Sequence, residues 1–80
     1  MKNTDIAEKF SKQLVSVSKY FRELRFGEFL TQVEVAEESG LHRNTISNIE
    51  TTNNFTILTL LQLCDFYEIT ASELLSIIDE

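Results

Sequence analysis

Apolar residues recur at helical spacing along the first third of the chain. Successive members are three or four positions apart, at Ile6, Phe10, Leu14, Val17, Phe21 and Leu24. Such spacing places them in one stripe on a helix with 3.6 residues per turn. The pattern predicts a long first helix from about Thr4 to Phe26, whose apolar stripe enters the core.

Capping signals divide the middle of the chain into two short helices. Thr31 and Glu34 have the spacing of a capping box, in which each side chain bonds a free backbone amide of the other residue. Gly40 then predicts a sharp end, because glycine readily adopts the left-handed conformation past a helix terminus. A third helix from about Arg43 to Glu50 is therefore expected to cross the second steeply.

The C-terminal part of the chain predicts two further helices. A polar loop at residues 51–54 precedes the fourth, which begins near Thr56. Thr70 and Glu73 repeat the capping-box spacing and open the fifth. The apolar face of the fourth helix is expected to comprise Ile57, Leu60, Leu61, Leu63, Cys64 and Tyr67. The sequence thus predicts an all-α, five-helix single domain over residues 1–80.

Composition limits the possible functions. The chain has 80 residues, one cysteine and no apolar run near the roughly 20 residues that span a membrane. We expect a cytoplasmic protein without cofactor or metal, in which Cys64 is a core residue and His42 caps a helix or lies at the surface. No convergent catalytic set accompanies the acidic Glu34, Glu37 and Glu38, so an enzyme is not expected.

The third predicted helix carries the candidate functional residues. Val35, Leu41, Ile46 and Ile49 are expected to form the core between the second and third helices. Polar residues then remain on the solvent face, at Arg43, Asn44, Ser47 and Asn48. Arginine can bond guanine through two hydrogen bonds, and asparagine can bond adenine in the same way. Backbone amides near Thr31 and Gln32 suit a phosphate.

Charge is segregated along the chain. Residues 1–25 contain six of the seven basic residues and three acidic residues, which gives +3, whereas residues 26–80 contain Arg43 and ten acidic residues, which gives −9. Because phosphate binding relies on lysine and arginine, the total of −6 disfavours strong non-specific binding to nucleic acid.

The stretch from about Phe21 to Leu75 resembles the Cro/repressor-type (XRE) helix-turn-helix family of bacterial and phage regulators. The resemblance rests on residues 21–25, 30–32, 35–41, 43–50, 59–64 and 69–75, which stand in the family's order and spacing. It implies a lambda-repressor-like fold that binds an operator in double-stranded DNA, commonly as a homodimer. In its compact size the chain is similar to the controller proteins of restriction-modification systems and to small phage or mobile-element repressors.

The resemblance also assigns roles to individual residues. Gln32 would contact the DNA backbone and brace the third helix, Arg43, Asn44 and Asn48 would read bases, and Thr45 and Ser47 would lie beside them. Arg25 and Glu50 would form a structural salt bridge. Several positions differ from the family pattern. Phe29 stands where glycine is common, His42 replaces the usual Ser, Thr or Asp cap, Val33 replaces a common acidic residue, and Thr51-Thr52 stands where Asn-Gly is frequent.

Two questions stay open at the level of the sequence. The first question is the role of the apolar residues Leu74, Ile77 and Ile78, which are expected to form a dimer interface. In the alternative, Ile77 or Ile78 packs back on the long first helix. The second question is the function, for which the resemblance implies sequence-specific DNA binding by a transcriptional regulator, with repression the expected output. The alternative is a helix-turn-helix-shaped protein interaction module, a reading that the −9 balance supports.

Overall fold

A computed structural model of the protein describes residues 9–51 and 55–79. Within these ranges the chain is helical and contains no strand, which confirms the predicted all-α class. The helices, numbered here in chain order, are α1 (Ser11–Gly27), α2 (Gln32–Ser39), α3 (Arg43–Glu50), α4 (Ile57–Phe66) and α5 (Ala71–Ile78). Helix α1 packs against α3 and α5, while α2 packs against α3 and α4.

Helix α1 supplies the centre of the core. Val17 and Phe21 are buried, and Tyr20 and Leu24 pack around them, as the predicted stripe requires. The prediction was wrong at Phe10, whose side chain is 46% exposed just before the helix begins. The predicted start at Thr4 and the stripe residue Ile6 lie outside the described residues.

The connection between α2 and α3 follows the local signals closely. Thr31 and Glu34 form both bonds of the capping box, with donor–acceptor distances of 2.9 and 3.1 Å. Gly40 ends α2 with φ = 81°, in the left-handed region that glycine tolerates best. The predicted core of Val35, Leu41, Ile46 and Ile49 is buried. The helix-turn-helix geometry therefore forms as expected.

Helix α1 ends in a Schellman motif, and the residue in this motif that has the left-handed backbone conformation is a phenylalanine. The amide of Leu30 donates to the carbonyl of Arg25 at 3.2 Å, and the amide of Phe29 donates to that of Phe26 at 3.0 Å. Phe29 has φ = 57° and is 92% exposed. The turn thus keeps the geometry of a glycine turn, although the residue is an aromatic one.

Helix α4 buries a narrower face than predicted. Leu60, Leu63 and Cys64 are buried, but Ile57 and Leu61 are 68% and 43% exposed. With 100° between successive residues, Ile57, Leu58 and Leu61 lie together on the side of α4 next to the buried stripe. Among the described residues, the neighbouring helices cover only the centre of the buried stripe and leave this side of α4 exposed.

Helix α5 corrects the expected dimer surface. Leu74 is only 2% exposed within the single chain and belongs to its core, so it is not available to a second subunit. Ile78 packs against the same core, and Ile77 borders a small depression lined by residues of α1. Both isoleucines are half-buried, which favours packing on the first helix over a dimer contact. Leu75 is the exposed leucine of this helix.

The described helices are not membrane-spanning segments. None of them combines the length and the apolar character that crossing a bilayer requires.

Candidate nucleic-acid interface

The C-terminal end of α3 is fixed to α1 through its backbone carbonyls. The hydroxyl of Ser18 donates to the carbonyl of Ile49 at 2.6 Å, and the guanidinium of Arg22 donates to the carbonyl of Glu50. The last carbonyls of a helix have no partner within the helix, so they need donors from elsewhere. Helix α1 provides these donors, and Ser18 does so from a fully buried position.

The Glu50 carboxylate joins three elements at the same place. It accepts hydrogen bonds from Nε and Nη2 of Arg25, both at 2.8 Å, and from Nε2 of Gln32 at 3.1 Å. Arg25 also donates to the carbonyl of Leu30 at 3.0 Å, which ties the turn before α2 into the network. The expected Arg25–Glu50 salt bridge is thus present, with Glu50 only 1% exposed.

Burial and charge around this network shift two pKa values. The pKa of Arg25 is raised, first by its hydrogen bonds to Glu50, which stabilise the charged guanidinium. Tyr67 has its pKa raised to about 12, first by desolvation and then by the negative charge of Glu50. The Tyr67 hydroxyl is buried without a hydrogen-bond partner among the described residues. Both arginine and tyrosine therefore keep their usual protonation near neutral pH.

Sequence reasoning missed the roles of Ser18 and Arg22. A signal was present, because Ser18, Arg22 and Arg25 are spaced i, i+4 and i+7 and so share one face of α1. This polar stripe runs beside the apolar one. A serine within such a buried face indicates a backbone partner, but the partner lies 31 positions away and cannot be found by spacing.

The N-terminal end of α3 is exposed instead. Arg43 and Asn44 are exposed, and Thr45, Ser47 and Asn48 are half-buried along the same helix. His42 caps the helix, with its Nδ1 accepting from the amide of Asn44 at 3.0 Å, as expected for a capping role. Helix α3 therefore presents guanidinium, amide and hydroxyl groups to solvent while its other face is buried.

The start of α2 lies beside this exposed end. An open depression of about 640 Å³ is lined by Arg43, Thr31, Gln32 and residues of the turn before α2. Thr31 uses its hydroxyl for the helix cap, and Gln32 bonds Glu50, so Gln32 braces α3 as the resemblance implied. The predicted site residues of α2 and Arg43 of α3 are thereby brought together around one concave surface.

Comparisons with known proteins agree with this architecture. A family model described as Helix-turn-helix matches residues 30–74, more than half of the chain. The restriction-modification controller protein C.Esp1396I is 28% identical, with a TM-score of 0.69 over 82% of this chain and 88% of that chain. Among curated protein sequences, none matches this chain.

Two further solved structures of the controller protein contain its operator. One is its tetramer in complex with the natural 35 base-pair operator, at 29% identity and a TM-score of 0.68 over 85% of this chain and 96% of that chain. The other is a single-residue variant bound to its highest-affinity operator site, with the same identity, TM-score and coverage.

The fold, the exposed polar face of α3 and these matches define a helix-turn-helix DNA-binding protein. The chain belongs to the XRE-type helix-turn-helix family, and it is a sequence-specific DNA-binding transcriptional regulator.

Proposed function

We propose that the protein is a homodimeric repressor or controller-like regulator in which α3 enters the major groove of an operator. The observation that carries the proposal is the division of α3 into a buried face and an exposed polar face that begins at Arg43 and Asn44. Such a helix fits the major groove and presents hydrogen-bonding groups to base edges.

The residues of this face have distinct roles in the proposal. Arg43 reads a guanine, Asn44 and Asn48 read further base edges, and Thr45 and Ser47 lie beside them. Thr31 and Gln32 approach the DNA backbone, where the amides at the start of α2 bind a phosphate. Gln32 also holds Glu50, so it couples the backbone contact to the position of α3.

Few positive charges are available for this interface. Arg22 and Arg25 are occupied by Glu50, and Arg43 is exposed at the start of α3. Two or three phosphates neutralised per subunit would give a dimer a slope of about −4 to −5 in a plot of log affinity against log salt. Specific contacts therefore supply an unusually large share of the affinity.

A second copy of the chain is the proposed occupant of the open side of α4. Ile57, Leu58 and Leu61 are exposed there, and Leu75 is exposed on α5, which packs against α4. In the proposed dimer, a two-fold axis near these helices has to place the two α3 helices about 34 Å apart, to match the spacing of successive major grooves. The tetrameric state of the controller protein on its operator supports self-association in this fold.

The dimer is tested with Leu58→Asp, because Leu58 is 64% exposed and its loss leaves the core intact. We expect a higher monomer fraction in sedimentation and weaker operator binding. Val15→Asp is the matched control, since Val15 is an exposed apolar residue of α1. Native protein that stays monomeric at high micromolar concentration would contradict the proposal.

DNA recognition is tested by titrating labelled duplexes with native protein at several salt concentrations. One duplex is selected from a randomised pool by the protein itself, and the other is its scrambled counterpart. We expect a clear preference for the selected duplex and the shallow salt slope given above. Equal binding of both, or no binding, would favour the interaction-module alternative.

A further inference from the structure

The turn before α2 exposes an aromatic side chain on a residue whose backbone conformation is unfavourable for a bulky amino acid. Phe29 has φ = 57° and is 92% exposed, so its side chain contributes little to the fold. A bulky residue in the left-handed region is strained, and exposing a phenylalanine ring to water is unfavourable as well. Stability of the isolated chain therefore gives no reason for phenylalanine at this position.

Phe29 belongs to a small apolar patch, which we define as Phe26, Phe29 and Val33. Phe26 is 59% exposed and Val33 is 43% exposed, on either side of the turn. The Arg25 guanidinium lies 4.7 Å from the centroid of the Phe26 ring, which holds the inner edge of the patch beside the Glu50 network. The apolar patch is thus presented from a rigid base.

The apolar patch is continuous with the proposed DNA interface. All three of its residues line the depression that Thr31, Gln32 and Arg43 also line. A duplex held by α3 and by the first turn of α2 would therefore lie against Phe29. The proposed dimer contact uses exposed residues of α4 and α5, not the turn between α1 and α2, so it does not need this patch.

The chemistry of the surroundings indicates which part of DNA the apolar patch would touch. Glu28 is exposed next to Phe29 and disfavours a phosphate at that point, and Arg25 is already bonded to Glu50. Phenyl and isopropyl groups bind carbon-rich surface, which a DNA strand offers at its deoxyribose rings between the phosphates. Such a contact excludes water without adding positive charge to an acidic protein.

We propose that the apolar patch packs Phe29 against the deoxyribose of the strand that the start of α2 approaches, and so replaces phosphate contacts by apolar contact. This inference rests on the proposed DNA-binding function. It assigns part of the operator affinity to a residue outside both helices of the motif. The contact is independent of base identity and strengthens binding to any sequence on which α3 can dock.

The test uses Phe29→Gly, which removes the ring and also relieves the backbone strain. Because glycine suits φ = 57°, the variant should unfold at the same or a higher temperature than the native protein. Phe29→Asn is the second variant, since asparagine tolerates this region and restricts the backbone more than glycine. Phe10→Gly is the matched control, at an exposed phenylalanine about 24 Å away along the axis of α1.

Each protein is titrated with the duplex selected by the native protein, at several salt concentrations. We expect both Phe29 variants to bind about a hundredfold more weakly, because burying roughly half a phenyl ring contributes about tenfold in each of the two subunits. The slope of log affinity against log salt should stay unchanged, because no cation is lost. Phe10→Gly should bind like the native protein.

The outcomes separate this inference from the function on which it rests. Native protein that binds the duplex while both Phe29 variants bind equally well would overturn the inference alone. A slope that becomes shallower by about two would overturn it too, since that change marks one lost phosphate contact in each subunit of the dimer. Native protein that binds no duplex would overturn both, and a protein partner would then be the occupant to seek.

Discussion

The two ends of α3 are held in opposite ways. At the C-terminal end, Ser18 and Arg22 bond its last carbonyls, and the buried Glu50 carboxylate is bonded by Arg25 and Gln32. At the N-terminal end, His42 caps the helix and Arg43 extends into solvent. The contrast indicates that one end of the helix is used for stability, and it leaves the other end available for the proposed binding.

Removing Glu50 should have the largest effect on stability. Glu50→Ala leaves the Arg25 guanidinium, whose side chain is 12% exposed, without its counter-charge. We expect a loss of about 3–5 kcal/mol in the free energy of unfolding, measured by urea denaturation. Glu23→Ala is the control, because its pair with Lys19 is exposed and should contribute at most about 1 kcal/mol.

The double variant Arg25→Met/Glu50→Leu sharpens the same comparison. Replacing a buried pair by apolar residues of similar size often recovers stability, because neither charge then has to be desolvated. We expect it to be more stable than Glu50→Ala. If Glu50→Ala unfolded like the Glu23→Ala control, the network would not be what fixes this end of α3.

The second-largest loss of stability is expected at Ser18. Ser18→Ala removes the donor to the Ile49 carbonyl and leaves that buried acceptor unsatisfied, at a cost of about 1–3 kcal/mol. Ser16→Ala is the matched control, since its exposed hydroxyl only bonds the Lys12 carbonyl within α1. Equal melting temperatures for the two variants would argue against anchoring through the carbonyls.

Alkaline pH should destabilise the folded protein through ionisation of Tyr67, which lies near the Glu50 network. Its pKa is about 12 in the folded protein and 10.0 in the unfolded reference, so the neutral phenol is favoured by folding. The stabilisation is fully present below pH 10 and is lost as pH rises toward 12. Tyr67→Phe should reduce this alkaline loss by about 1 kcal/mol, allowing for partial exposure.

The measurement for Tyr67 is the difference between native and variant melting curves from pH 8 to pH 12, roughly the range in which tyrosine titrates. At neutral pH the variant should be at least as stable as the native protein, because it removes a buried hydroxyl without a partner. Parallel pH profiles for the two proteins would show that the hydroxyl is solvated.

The smallest effect on stability is expected at Arg43. Arg43→Ala should change the free energy of unfolding by less than about 0.5 kcal/mol, since the side chain is exposed. The same change should weaken operator binding by about 1–3 kcal/mol and relax the preference at one base pair per half-site. Lys19→Ala, at an exposed cation on α1, is the binding control.

The sequence was most informative where a residue acts locally. The capping box at Thr31 and the left-handed turn at Gly40 depend on neighbouring residues, and both formed as predicted. Periodicity located the buried stripes but not their edges. Ile57 and Leu61 were therefore placed in the core, although no element within residues 9–51 and 55–79 covers that side of α4.

Long-range contacts were less accessible to sequence reasoning. The bond from Ser18 to Ile49 joins residues 31 positions apart, and Leu74 was assigned to a dimer surface because its packing partner could not be known. Family resemblance supplied the Arg25–Glu50 pair, which is present. The DNA contacts assigned to Arg43, Asn44, Thr45, Ser47 and Asn48 remain predictions, as do those of Thr31 and Gln32.

The carbonyl bonds between α1 and the end of α3 also bear on how this protein can change over generations. Because Ser18 and Arg22 hold backbone atoms of Ile49 and Glu50, these bonds do not depend on which side chains occupy the outward positions of the helix. Substitutions at Asn44, Ser47 and Asn48 can therefore accumulate without disturbing that attachment. The chain is a suitable template for reprogramming operator preference by a library at these positions, with folding retained across its members.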